Sequence, residues 1–133
     1  MDFSKYISTP KDTTEANPLV TSLKLTKGRL TGGFLYFPKG PAGTLHFLAR
    51  IGIHQILPFN TGENYRLNDA VINFFLCIDL DDPPYTLDLV TWNDSTQYSH
   101  ALTIGFSLDP HVKQQYDVSK LKNLETGEKG EQK

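Results

Sequence analysis

The sequence has a single cysteine, Cys77, so no disulfide can close within the chain. Its neighbours Phe75, Leu76 and Ile78 point to a buried structural thiol rather than a nucleophile. An excess of charge of one sign is also missing: 13 Lys and Arg stand against 15 Asp and Glu, a formal net charge of −2. A protein held on nucleic acid by phosphate contacts would carry a basic patch, so that partner class is excluded. No apolar run approaches the ~18 residues of a membrane-spanning helix. The most apolar stretch, Ile72 to Leu80, is too short and contains Asp79. Met1-Asp2-Phe3-Ser4-Lys5-Tyr6-Ile7-Ser8 lacks the basic-then-apolar order of a secretion signal, so none is expected. Together with the lone thiol, this fits synthesis and assembly in a reducing cytoplasm.

The usual marks of catalysis and cofactor binding are absent as well. There is no G-x-S-x-G elbow, and the glycines at 28, 32, 33, 40, 43, 52 and 62 form neither a dinucleotide fingerprint nor a phosphate loop. His46, His54, His100 and His111 form no zinc-ligand spacing. His46 and His54 flank an expected strand turn and could meet, but two imidazoles with ordinary hydrogen-bond partners are favoured over a metal site. His100 falls in the inward register of its strand, where a satisfied core histidine is expected. Asp79, Asp81 and Asp82 cluster before Pro83-Pro84 without the rhythm of a calcium loop. Aspartates capping backbone amides ahead of a rigid turn are favoured there. Asn93-Asp94-Ser95 matches a glycosylation acceptor only by chance. The expectation is a protein that is not an enzyme, with no catalytic residues, no cofactor and no metal ligands.

What is present is strand patterning. At 133 residues and 15.0 kDa, the length favours one domain. Residues 1–18 are polar apart from Phe3, Tyr6 and Ile7 and read as an N-terminal arm. Residues 111–133 read as a polar tail, with a weak helical signal at 112–124. Between them, residues 19–110 alternate. From Tyr98 to Leu108, the even positions Tyr98, His100, Leu102, Ile104, Phe106 and Leu108 carry the bulk, and the odd ones are small or polar. This is the period of a strand with one face in a core. Tyr85, Leu87 and Leu89 repeat it, as do Leu45, Phe47, Ala49 and Ile51. Val71 to Ile78 is apolar on both faces, as a central or covered strand would be. Turn chemistry at 38–43, 60–64, 81–84 and 92–96 separates the segments. About seven strands in ninety residues predict an all-β, antiparallel β-sandwich, immunoglobulin-like or jelly-roll in outline, with a small closed barrel as the alternative.

Tyr36, Phe59, Tyr65, Tyr85, Trp92 and Tyr98 fall at expected strand ends and loops, and of these Phe59, Tyr65, Tyr85, Trp92 and Tyr98 form the candidate interaction surface. Tyrosine and tryptophan beside Asn and Asp can stack on sugars or anchor a protein partner. The plainer expectation is that Tyr85 and Trp92 plug the ends of the core.

Several ordered motifs remain. Phe37-Pro38-Lys39-Gly40-Pro41-Ala42-Gly43 is followed by His54-Gln55-Ile56-Leu57-Pro58-Phe59-Asn60, then by Asp82-Pro83-Pro84-Tyr85-Thr86-Leu87, Trp92-Asn93-Asp94 and Tyr98-Ser99-His100. Across about residues 20–109 this resembles small uncharacterised β-proteins of tailed-phage and provirus structural gene clusters. The resemblance implies a virion structural or accessory protein, made in the host cytoplasm: a capsid decoration, cement or head-spike component. Its partners would be capsid or other virion proteins and further copies of itself as a homo-oligomer, with neither nucleic acid nor membrane. The alternative is a β-sandwich module that recognises carbohydrate or a host surface.

Overall fold

Alternating side chains bury one face of each strand, and the computed structural model, which describes residues 1–110, stacks two such faces. The strands are β1 (Asp2–Thr9), β2 (Leu19–Lys24), β3 (Gly28–Phe37), β4 (Leu45–Ile51), β5 (His54–Leu57), β6 (Ala70–Leu80), β7 (Thr86–Asn93) and β8 (His100–Asp109). They form two antiparallel four-stranded sheets, ordered β1-β8-β3-β6 and β2-β7-β4-β5. The sheets do not close into a barrel. An immunoglobulin-type order begins with the first two strands side by side; here the first strand lies beside the last. The pairs 1–8, 2–7, 3–6 and 4–5 nest inside one another, the winding of a jelly roll. No helix among the described residues is long and apolar enough to cross a membrane.

The core lies between the sheets. Leu35 and Phe37 of β3 and Leu102, Ile104, Phe106 and Leu108 of β8 face Leu45, Phe47 and Ala49 of β4 and Leu87 and Leu89 of β7, all essentially without solvent contact. Phe74 and Phe106 meet edge to face, with ring centroids 5.5 Å apart. Two glycines let β3 and β8 lie this close. A Cβ on Gly33 would overlap the Gly105 carbonyl, and one on Gly105 would overlap the Phe34 ring that lies across it.

Three expectations are corrected here. Residues 1–18 are not a free arm, because Asp2–Thr9 pairs with β8 along its whole length. Ile7 and Thr9 of this strand are buried. Only these two side chains are fully buried, with Phe3 half-buried against the core, so the segment looks polar in sequence although one side of its backbone is bonded to β8 throughout. The strand count among the described residues is therefore eight. Second, β6 is neither central nor covered. It is the edge of its sheet, and its outward residues Val71 and Phe75 are exposed. Third, Cys77 shares that outward register and is exposed, not a buried thiol. The tail at 111–133 and its helical signal lie outside the described residues.

Removing residues 1–18 should therefore strip a sheet edge rather than trim an arm. Urea melts should show the 19–110 fragment losing its cooperative transition, and Ile7→Ala alone should cost about 2–4 kcal/mol.

Candidate interaction surface

Three regions carry the side chains with chemical potential: a polar end, an apolar cleft and an outer sheet face.

At the polar end, β4 and β7 set His46 opposite Trp92 on the outer side of their sheet. The two rings stack at 4.8 Å with 6° between planes. His46 is buried, with Nδ1 2.7 Å from Asn64 Oδ1 and Nε2 2.7 Å from Asp94 Oδ2. With both nitrogens engaged and one face on indole, the imidazole has no lone pair to offer a nucleophile unless it gives up a bond. It ties the β5–β6 loop to the β7–β8 loop. Nearby, the Thr9 hydroxyl donates to Thr91 Oγ1 at 2.8 Å inside the sandwich. The fully buried Asn93 amide donates to the carbonyls of Thr9 and Tyr98, and its Oδ1 accepts from the Ser95 N–H. Every polar group of the Asn93 side chain is thus satisfied, as burial demands.

His46 and His54 do not meet. His46 lies near the start of β4, whereas His54 pairs with Ile51 at its far end. His100 is half-buried against the β3–β4 loop, where a Cβ on Gly40 would sit 3.7 Å from its Nδ1. Among the described residues, no three His, Cys, Asp or Glu side chains converge as metal ligands would. Asp79 pairs across the strands with Arg29, at 2.7 Å. That hydrogen bond and charge raise the guanidinium pKa further above its already high value.

The five aromatics singled out from the sequence do not form one platform. Trp92 is buried beneath its partners. It is a covered residue, as the plainer expectation held, but on the outer side of its sheet rather than at the end of the core. Tyr65 and Tyr85 pack in part against the core. The Tyr65 backbone bridges to Phe47, and burial raises its phenol pKa. Only Phe59 and Tyr98 stay exposed, and they lie on different loops.

Phe59 instead rims an apolar cleft of about 600 Å³ between the edges β5 and β6. Ile56 and Leu80 are buried in its wall, Ile78 contributes from β6, and Ile53 and Phe59 project from the β5 side at 90% and 83% exposure. The Gln55 amide holds the loop that carries Phe59, donating to the carbonyls of Pro58 and Glu63 at 2.8 and 2.9 Å.

The outer face of the β1-β8-β3-β6 sheet went unnoticed in the sequence. Register places Tyr6, Thr103, Tyr36 and Val71 in one row across all four strands. The next row is Ser4, Gly105, Phe34 and Asn73, and the one after ends on Phe75. Tyr6, Phe34, Tyr36, Val71 and Phe75 are all exposed. The available signal is the two-sided apolarity of residues 71–78, which reads equally as a central strand or one covered on its outer side. On the opposite sheet, Val90 and Trp92 face outward yet are buried, so the two outer faces differ. No family model, curated protein or solved structure matches the chain.

Because Trp92 is part of the packing, Trp92→Ala should lower stability by about 3–5 kcal/mol, read by urea denaturation. A variant that melts like wild type would show the indole to be dispensable to the fold.

Proposed function

We propose that the chain is a non-enzymatic virion structural or accessory protein, a capsid decoration, cement or head-spike component that acts through protein–protein assembly. The observation that carries this reading is the outer face of the β1-β8-β3-β6 sheet, where Tyr6, Phe34, Tyr36, Val71 and Phe75 present aromatic and aliphatic surface to solvent. Contiguous exposed apolar surface on a soluble domain marks a place where something docks. Tyrosine and phenylalanine are among the residues that interfaces concentrate. Serine, threonine and asparagine interleave with them (Ser4, Thr103, Asn73), a mixture suited to a protein surface rather than to lipid.

The nested jelly-roll order adds support, since it recurs in viral capsid domains. It also recurs in lectins, and a fold by itself does not choose between them. The side chains do favour one. A sugar platform built on Phe59, Tyr65, Tyr85, Trp92 and Tyr98 loses Trp92 to burial, and the core draws in Tyr65 and Tyr85. The ligands of the assembly reading are capsid or other virion proteins and further copies of the chain, and it needs no cofactor.

Particles purified on a density gradient from a producing culture should carry the full-length chain, detected by antibody. The double variant Tyr6→Ser/Tyr36→Ser should keep a cooperative melt with at most a modest loss of stability, because Tyr6 is largely and Tyr36 partly exposed, yet be lost from the particle fraction. Recovery of the wild-type chain only from particle-free fractions would sink the proposal.

A further inference from the structure

A two-sheet sandwich that does not close has four edge strands, each offering unpaired N–H and C=O groups to any extended chain. Three of the four are blunted. β1 points a charged residue inward, since Lys5 shares the register of Ile7 and Thr9. β2 has six residues, follows Pro18 and ends on Lys24. β5 has four residues and runs into Pro58. The fourth edge, β6, is the longest strand in the fold at eleven residues, Ala70-Val71-Ile72-Asn73-Phe74-Phe75-Leu76-Cys77-Ile78-Asp79-Leu80. It contains no proline and no lysine, and its one charge, Asp79, is neutralised within its own sheet by Arg29. Every second residue of β6 turns its N–H and C=O away from β3, toward the open side. At its midpoint Phe75 is 92% exposed.

We infer that β6 is the self-association edge of this protein: two copies join β6 to β6, antiparallel about a two-fold axis at Phe75, to make one continuous eight-stranded sheet. The inference deepens the assembly reading above, on which it rests, by naming a second copy of the chain as one partner and β6 as the contact. Self-pairing is singled out because the strand is self-complementary. Pairing Phe75 with its own copy engages all eleven residues and sets Ala70 opposite Leu80, Ile72 opposite Ile78 and Phe74 opposite Leu76 on the inner side. On the outer side Asn73 faces Cys77, and Val71 faces Asp79. No like charges meet. A slip of one residue would oppose inner to outer side chains, which the period of two forbids.

The cleft between β5 and β6 supplies an independent reason. Its β6 wall is Ile78 and Leu80, and this register brings Ile72 and Ala70 of the second copy beside those residues, at the mouth of the cleft. The exposed Ile53 and Phe59 on the far rim then gain apolar neighbours. The size is sufficient. Eleven residues span roughly 35 Å and the two sheets stand about 10 Å apart, so with side chains the edge offers on the order of 500 Å² per copy. That is about 1,000 Å² in total, the lower bound for a specific interface.

Light scattering behind size exclusion on the full chain should give twice the 15.0 kDa chain mass over a concentration series. Phe75→Lys places two ammonium groups face to face on the axis. It should give the single-chain mass with unchanged circular dichroism, because the replaced ring touches little in the single chain, and a thermal midpoint that no longer rises with concentration as the wild-type dimer's should. Phe75→Cys in a Cys77→Ser background should form a disulfide-linked dimer on mild oxidation, since paired strands bring the two Cα atoms within bridging distance. A wild-type monomer at every concentration, a Phe75→Lys chain that stays dimeric, or failure of the cysteine pair to cross-link overturns the inference. A monomer that still copurifies with particles overturns edge pairing alone. A dimer absent from particles supports edge pairing and overturns the virion reading alone.

Discussion

Everything in this fold is held inside one pairing, that of the first strand with the last. β1 and β8 run antiparallel through eight matched residues. Beyond the strand, the Met1 ammonium group donates to the Leu108 carbonyl at 3.1 Å, and the Leu108 N–H donates to the Met1 carbonyl at 2.7 Å. The other three antiparallel pairs nest within it, down to β4 and β5 joined by the turn at Gly52 and Ile53. A nested arrangement makes most contacts long-range in sequence, so their closure cost must be met by the buried core rather than by local propensity. The two close glycines belong to the same constraint. β3 must lie against β8 for the sheet to continue to β6, and Gly33 and Gly105 are where backbone and ring come too near for a Cβ.

The parts legible in the sequence were those where a side-chain pattern reports burial directly. β8, β7 and β4 alternate cleanly because one face of each meets the core, and the sandwich follows from them. β1 was illegible for the converse reason. One side of its backbone is bonded to β8 along the whole strand, but only Ile7 and Thr9 are buried, so hydrophobic periodicity had little to report. β6 misled in the other direction. Apolar residues on both its faces look alike whether the outer face is covered by the same chain or left open, and Cys77 inherited the error. The His46–Asp94 contact spans 48 positions and depends on the cross-strand register of β4 with β7, which no spacing rule contains. Trp92 was marked as an aromatic of interest, but its place beneath His46 follows from that same register.

The two ends of the functional spectrum sit in different places. Where β1 gives way to the second sheet, polar groups are buried and all satisfied: Thr9 with Thr91, Asn93 with three partners, His46 with two. Such a network fixes one geometry, because any shift leaves a buried polar group unpaired. The opposite side of the sandwich, with the cleft and the long edge, is more apolar and open, its polar ties being the Gln55 amide on its loop and the Arg29–Asp79 pair. The rigid end fixes the loops, while the open side and the outer face present the surface that assembly would use.

The nested winding also dictates an order of events when the chain is made. The β4–β5 hairpin can close first, but Asp2–Thr9 has no partner until His100–Asp109 emerges. At roughly 5–20 residues per second that is a wait of about five to twenty seconds with a strand exposed beside the ribosome. The composition that hides β1 from hydrophobic patterning, with Ser4, Lys5 and Ser8 set among its few apolar residues, is also what lets it wait in water without sticking to another chain.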